Sequence, residues 1–266
     1  MAEELTKYVV SHRNFQDERF ASRKTIYVNK DVPKKIREGE IEDWTGDNID
    51  SLNPWYCELT AIYWIWRNDS ESRYISLEHY RRVFLTSKSN WFSYRFLEDE
   101  EILRILRRKR IILPLLHHFE KDIETQYKEH HVEEDLRTMK ETIHRLFPEY
   151  DEDFTSVLKS HDIVLFNMFV MKREDLDGYC RFAFPILDEV FRLKKDDITK
   201  RDGYQKRAIG FLSERLFNVW LRHNIGEKDI FHTPIAHLDQ KPLIHYLKDR
   251  YFWMRRKDYD RKKSRL

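Results

Sequence analysis

Apolar side chains recur along this chain with two periods, about 3.6 in some stretches and 2 in others, and the most apolar stretch runs from Trp55 to Trp66. Only Glu58 and Thr60 are strongly polar in it, so the pattern predicts a helix covered on every side. Asn53 suits the N-cap and Pro54 the first helical position, where a missing N–H loses no partner, so the helix is expected to start at Pro54. At about 100° per residue, Ile62 and Ile65 flank Glu58, whose carboxylate must then find a partner inside the fold. An ion pair with arginine is one such partner; a functional contact is the other.

Period-two alternation follows from Tyr74 to Phe84. It puts Ile75, Leu77, His79, Arg81 and Val83 on one face and Tyr74, Ser76, Glu78, Tyr80 and Arg82 on the other. An apolar beginning and a charged end predict a central strand that emerges at a binding crevice. Lys7 to His12 reads as the first strand of a parallel sheet, Ile26 to Asn29 as a short second one, and Ile111 to Leu116 as a buried strand stopped by Pro114. Ile163 to Lys172 is the strongest strand of the second half, and Asn167 in its middle must bond a neighbouring backbone or face a ligand. Helical periodicity marks Leu97 to Arg108, Val132 to Leu146, Asp175 to Leu193 and Phe211 to His223. Strands alternating with helices predict an α/β fold with a mostly parallel central sheet flanked by helices.

Composition narrows the picture. With 266 residues, 36% charged and 14% aromatic, the chain can bury a sizeable core and is too rich in large apolar groups for disorder. Residues 1–245 read as one domain and 246–266 as a basic aromatic tail. Cys57 and Cys180 are the only cysteines, so a disulfide framework is not expected and a reducing compartment is. With no signal-peptide pattern and no apolar run of spanning length, the expected location is cytoplasmic. The net charge of +2 hides a segregation: Lys248 to Leu266 holds nine Lys or Arg against three Asp, leaving a mildly acidic body. Such a tail suits an anionic membrane surface, whereas the acidic body offers nucleic acid no continuous basic face.

Candidate chemistry gathers at predicted strand and helix ends. His79, Arg81 and Arg82 suit a diphosphate, because guanidinium forks match phosphate oxygens. Glu78 with His79 offers a carboxylate and an imidazole suited to manganese, and the two arginines can equally replace a metal. Adjacent His130 and His131 point about 100° apart on a helix and cannot share one metal. Asp151-Glu152-Asp153 fits an Asp-x-Asp pattern but sits at a predicted helix start, where acidic residues are ordinary. Glu214, near the start of its helix, is favoured as the anion by the backbone dipole.

The runs TGDNIDSLNPWYCELTAIYWIW, HYRR, QYKEHH, NMFVMK and GFLSERLFNVWL, in this order and spacing, resemble the bacterial capsular and O-antigen polysaccharide family first catalogued as a domain of unknown function and read as galactofuranosyltransferases. The resemblance spans about Lys7 to Asn224. It implies a GT-A-like glycosyltransferase fold, a UDP-sugar donor, UDP-galactofuranose in particular, and inverting transfer to a lipid-linked glycan at the inner face of the membrane. The same resemblance places Ser11, His12 and Arg13 near the nucleotide, with Asp47 and Asn48 close by. It puts Gln126, Tyr127, His130, His131 and Asn167 on the sugar and acceptor side. Transfer needs a base for the acceptor hydroxyl, and Glu214 is the first candidate and Glu78 the second. The alternatives are a transferase for a pyranose UDP-sugar and a non-catalytic scaffold of polysaccharide assembly.

Overall fold

In the computed structural model, which describes residues 4–14, 17–86, 89 and 95–239, nine strands form one sheet around β1 (Leu5–Ser11). β2 (Lys24–Tyr27) and β3 (Ile41–Glu42) continue the sheet on one side of β1, and β4 (Tyr74–His79) pairs on the other, all four parallel. Tyr80 and Arg81 then turn the chain back into β5 (Arg82–Phe84). β6 (Ile111–Pro114) lies further out, while β7 (His117–His118) and β8 (Asp162–Ile163) form a separate antiparallel ribbon. β9 (Phe169–Lys172) inserts between β4 and β6 and runs antiparallel to both. β10 (Ile230–Thr233) extends β6 in parallel, and β11 (Ile235–His237) pairs with β5.

Among the described residues eight α-helices, α1 (Asn53–Tyr56), α2 (Leu59–Asn68), α3 (Asp99–Leu106), α4 (Ile123–His130), α5 (Glu133–Leu146), α6 (Asp151–Leu158), α7 (Arg173–Ile198) and α8 (Ala208–Asn224), cover the sheet. The larger core joins the Tyr8, Val10, Ile75 and Leu77 face of β1 and β4 to α2 and α5 through α8. A smaller core sets α3 against the other face through Tyr74, Phe84, Ile112 and Val170. On that face Lys7 is buried and reaches Glu98 at 2.6 Å and Asp99, so α3 is tied to β1 at its acidic first turn. The α/β architecture is the expected one, with helices on both faces.

Three elements depart from the periodicity. The apolar helix is cut in two at Cys57, whose φ of 55° cannot continue a helix. Asn53 heals the cut: its Nδ2 donates to the Cys57 carbonyl at 2.9 Å and to Thr60 Oγ1 at 3.0 Å. The strand read through to Phe84 is instead a tight hairpin, because buried Glu78 accepts from the Phe84 N–H at 2.8 Å and pulls the chain back onto β4. The strand read from Ile163 breaks after β8, since Asn218 replaces a strand neighbour for Val164, taking its N–H at 2.9 Å and its carbonyl at 2.8 Å. Phe166 and Asn167 follow at φ of 76° and 50°. Asp151 to Asp153 form the first turn of α6, where Asp151 meets His144 and Asp153 meets Arg222 and His223.

Asp43 is fully buried beside Thr60, with its N–H on the Tyr27 carbonyl at 3.0 Å. Burial pushes its carboxyl up to about 7, outweighing the Thr60 hydroxyl and the nearby Lys34 and Lys30. Because the folded state holds this proton more tightly than the unfolded chain, stability is lost as pH rises from about 4 to about 7. Replacing Asp43 with Asn should therefore raise Tm by a margin that grows across that window and levels off above it. A margin independent of pH in thermal scans is the opposite result.

The boundary drawn at residue 245 and the basic tail lie outside the described residues. No helix among the described residues is long and apolar enough to cross a membrane. Cys57 and Cys180 are both free.

Candidate active site

β1 and β4 run parallel with Val10 opposite His79, so their carboxyl ends finish together, and a cavity of about 580 Å³ opens there. Its sheet wall carries His12, Asn29, His79, Arg81 and Arg82. The opposite wall is helical, with Gln126 from α4 and His131 just past its end, Phe211, Glu214 and Arg215 from α8, and Tyr204 and Arg207 from the turn before α8. Between the walls lie Asn53, Cys57 and Glu58, at the break that separates α1 from α2.

Two carboxylates face this space, and the 165–167 loop holds both. The Phe166 N–H donates to Glu214 Oε1 at 2.8 Å, and Asn167 Nδ2 donates to Glu58 Oε1 and Ser213 Oγ, each at 2.9 Å. Non-glycine residues at positive φ cost about 1–3 kcal/mol each, and here the strained pair is what brings the two donors onto the two acids. Glu58 thus finds an amide partner in place of an arginine. Burial raises Glu214 above the usual carboxylate range and Glu58 pushes the same way, while Arg215 Nη1 at 3.1 Å and the Phe166 N–H oppose.

Positive charge surrounds the acids. Arg81 pairs with Asp239 at 3.1 Å, whereas among the described residues no carboxylate pairs with Arg82. Arg82 stacks over the Phe166 ring at 4.1 Å, and its buried Nε has no hydrogen-bond partner among the described residues. Arg207 Nε donates to Cys57 Sγ at 3.1 Å, and Arg215 Nη2 to Gln126 Oε1 at 2.8 Å. Burial pushes the His79 imidazole down to about 4, with Arg82 acting alike and Glu58 against, so the ring is neutral at pH 7. Its Nε2 is buried and unpartnered among the described residues. His131 falls to about 4 through burial and the Arg215 charge. Such a set can accept a proton at a carboxylate and neutralise a polyanion.

Of the residues singled out from sequence, the structure brings His12, His79, Arg81, Arg82, Gln126, His131 and Glu214 onto the cavity lining. Asn167 sits behind it and orients Glu58. Ser11 is buried against the Arg13 backbone, and Arg13 lies over the Tyr80 ring at 4.7 Å, itself edge-on to His12. Tyr127 is buried under the Arg215 guanidinium, and exposed His130 bonds the Gln126 carbonyl. Asp47 and Asn48 go elsewhere. Their turn docks on the far end of α2, with Asn68 bonding the Asp47 N–H and carbonyl and Asp47 pairing with Arg67 at 2.6 Å. Ten residues of helix separate Asn68 from Glu58, about 15 Å at 1.5 Å per residue.

Glu78 is buried on the opposite face of β4 from His79, so the two cannot hold one metal between them. It bonds Arg23 Nε at 2.5 Å and does not line the cavity. Among the described residues no three His, Cys, Asp or Glu gather as a metal would need. Removing Glu78 takes from buried Arg23 its buried partner and leaves it only the half-exposed Glu98 at 3.2 Å, so Glu78→Ala should cost about 3–5 kcal/mol in urea unfolding. A loss under about 1 kcal/mol, the range of surface pairs, contradicts that role.

Sequence reading did not single out Asn53, Cys57, Tyr204, Arg207 or Arg215 as site residues. Asp202-Gly203, a turn signal just before α8, was the available pointer to Tyr204 and Arg207.

Comparison with known proteins adds to this geometry. The family model described as Domain of unknown function (DUF4422) matches residues 7–225. None of the curated proteins matches the chain. Among solved structures, the apo form of WbbM, a bifunctional glycosyltransferase, superposes with a TM-score of 0.73 at 25% identity over 90% of this chain. The chain spans 46% of the length of that protein.

Proposed function

The chain belongs to the family described as Domain of unknown function (DUF4422), and from that premise we propose that it is a glycosyltransferase using a UDP-sugar donor, with galactofuranose the sugar moved. The observation that carries this reading is the meeting of Glu214 and Glu58 with Arg81, Arg82 and Arg207 in one cavity at the carboxyl ends of parallel strands. The likeness to WbbM, itself a glycosyltransferase, supports it.

Glu214 takes the proton of the acceptor hydroxyl as its oxygen attacks the anomeric carbon. The bond from that carbon to the diphosphate breaks on the opposite face, and its electron pair leaves with UDP. Arg82, assisted by Arg81 and Arg207, neutralises the charge that develops there. Inversion at the anomeric carbon follows from this single displacement. The acceptor is a lipid-linked glycan of polysaccharide assembly, met at the membrane surface. The Glu78–His79 pair does not fit a divalent cation, so the arginines carry the charge stabilisation assigned here.

Calorimetric titration with UDP-galactofuranose, UDP-galactopyranose, UDP-glucose and UDP tests the donor. The furanose donor should bind at least several-fold more tightly than the pyranoses. Equal affinity for all four removes the sugar assignment, and no binding of any removes the donor class.

A further inference from the structure

Tyr204 is 60% exposed although it lines the cavity, an unusual position for a large aromatic ring. Its ring is held, since its centroid lies 4.5 Å from that of Phe211 and 5.8 Å from that of His131, nearly parallel to the latter at 27°. His131 packs in turn on Phe211 at 4.2 Å and on Tyr127 at 4.8 Å. Gln205 anchors the same turn by donating to the His130 carbonyl at 2.7 Å. The exposed ring is thus backed by a fixed aromatic stack. Beside it, His131 Nδ1 is buried with no hydrogen-bond partner among the described residues.

An aromatic face carries partial negative charge, and the C–H groups on one face of a sugar ring carry partial positive charge, so the two attract while burying apolar area. Tyr204 belongs to the helical wall with Arg207, whereas Arg82, the foremost diphosphate partner, and Arg81 belong to the sheet wall. Resting on the transferase reading, we propose that Tyr204, backed by His131 and Phe211, is a stacking platform for a sugar ring of the acceptor glycan. Uracil, which also stacks on aromatic rings, is the competing occupant.

The test uses the full chain and the variants Tyr204→Ala and Tyr204→Phe, with melting temperatures taken to confirm folding. Methyl β-galactopyranoside and methyl β-galactofuranoside serve as probes in saturation-transfer NMR, and UDP is titrated calorimetrically. Tyr204→Ala should weaken at least one glycoside about five- to tenfold, Tyr204→Phe should retain it, and UDP affinity should stay within about twofold. A loss of UDP affinity in Tyr204→Ala assigns the ring to the base and overturns the proposal. Unchanged glycoside binding in Tyr204→Ala, or none in the parent protein, overturns it too. Failure of UDP alone to bind counts against the donor reading, and the glycoside measurement is read without it.

Discussion

Glu214→Gln should cut sugar transfer by roughly 10²–10⁴-fold, the usual worth of a general base, while UDP affinity changes by no more than about twofold. The amide keeps the size of the carboxylate and can still accept from the Phe166 N–H, which now bonds Glu214 Oε1 at 2.8 Å. What it loses is the capacity to take a proton. The ion pair with Arg215 at 3.1 Å is also lost, so a structural role predicts a drop in Tm with near-normal turnover, the reverse of the pattern expected here. Glu214 lies above the ordinary carboxylate range because it is buried and faces Glu58. Turnover should therefore fall as pH drops through that raised value, at a higher pH than an exposed glutamate gives. In the variant the acid limb of the rate profile should disappear.

Arg82→Ala should weaken UDP binding by about 10- to 150-fold, because a charge-assisted contact to phosphate is worth about 1.5–3 kcal/mol. Arg81→Ala should do less, since part of that guanidinium's interaction is already with Asp239. Arg82 has no carboxylate partner among the described residues, and burial together with Arg81 lowers its pKa. A cation so placed is poised for an incoming anion. Removing it relieves repulsion, so Tm should hold or rise while affinity falls. Normal UDP affinity in Arg82→Ala, measured by calorimetry, would make this a purely structural arginine stacked on Phe166.

Much of the framework was legible because periodicity records which face is buried. The apolar starts and polar ends of β1 and β4 mark both the parallel pair and the crevice beyond it, and α8 carries Glu214 within a plain helical pattern. Less legible were features set by single backbone angles. Cys57 and Phe166 adopt positive φ without being glycine, asparagine or aspartate, so nothing in residue type announces the break at α1 or the loop that orients the two acids. Glu78 looked like site chemistry because it neighbours His79. A period of two sends neighbours to opposite faces, and Arg23, too distant in sequence to be paired with it by pattern, took up the charge. Asp47 was displaced for a related reason: Asn68 and Arg67, about twenty residues on, hold its turn at the wrong end of α2. Tyr204 and Arg207 sit in a polar turn whose composition resembles any solvent-exposed connection. Only the packing against His131 and Cys57 brings them to the cavity.

The most direct measurement is transfer itself. The full chain should be incubated with UDP-galactofuranose and a lipid-linked glycan acceptor, with and without chelator, and the product analysed by mass spectrometry and NMR. The expected product is one hexose heavier, with inverted anomeric configuration, and its formation is lost in Glu214→Gln and persists with chelator. A product of retained configuration, or transfer undiminished in Glu214→Gln, would contradict it.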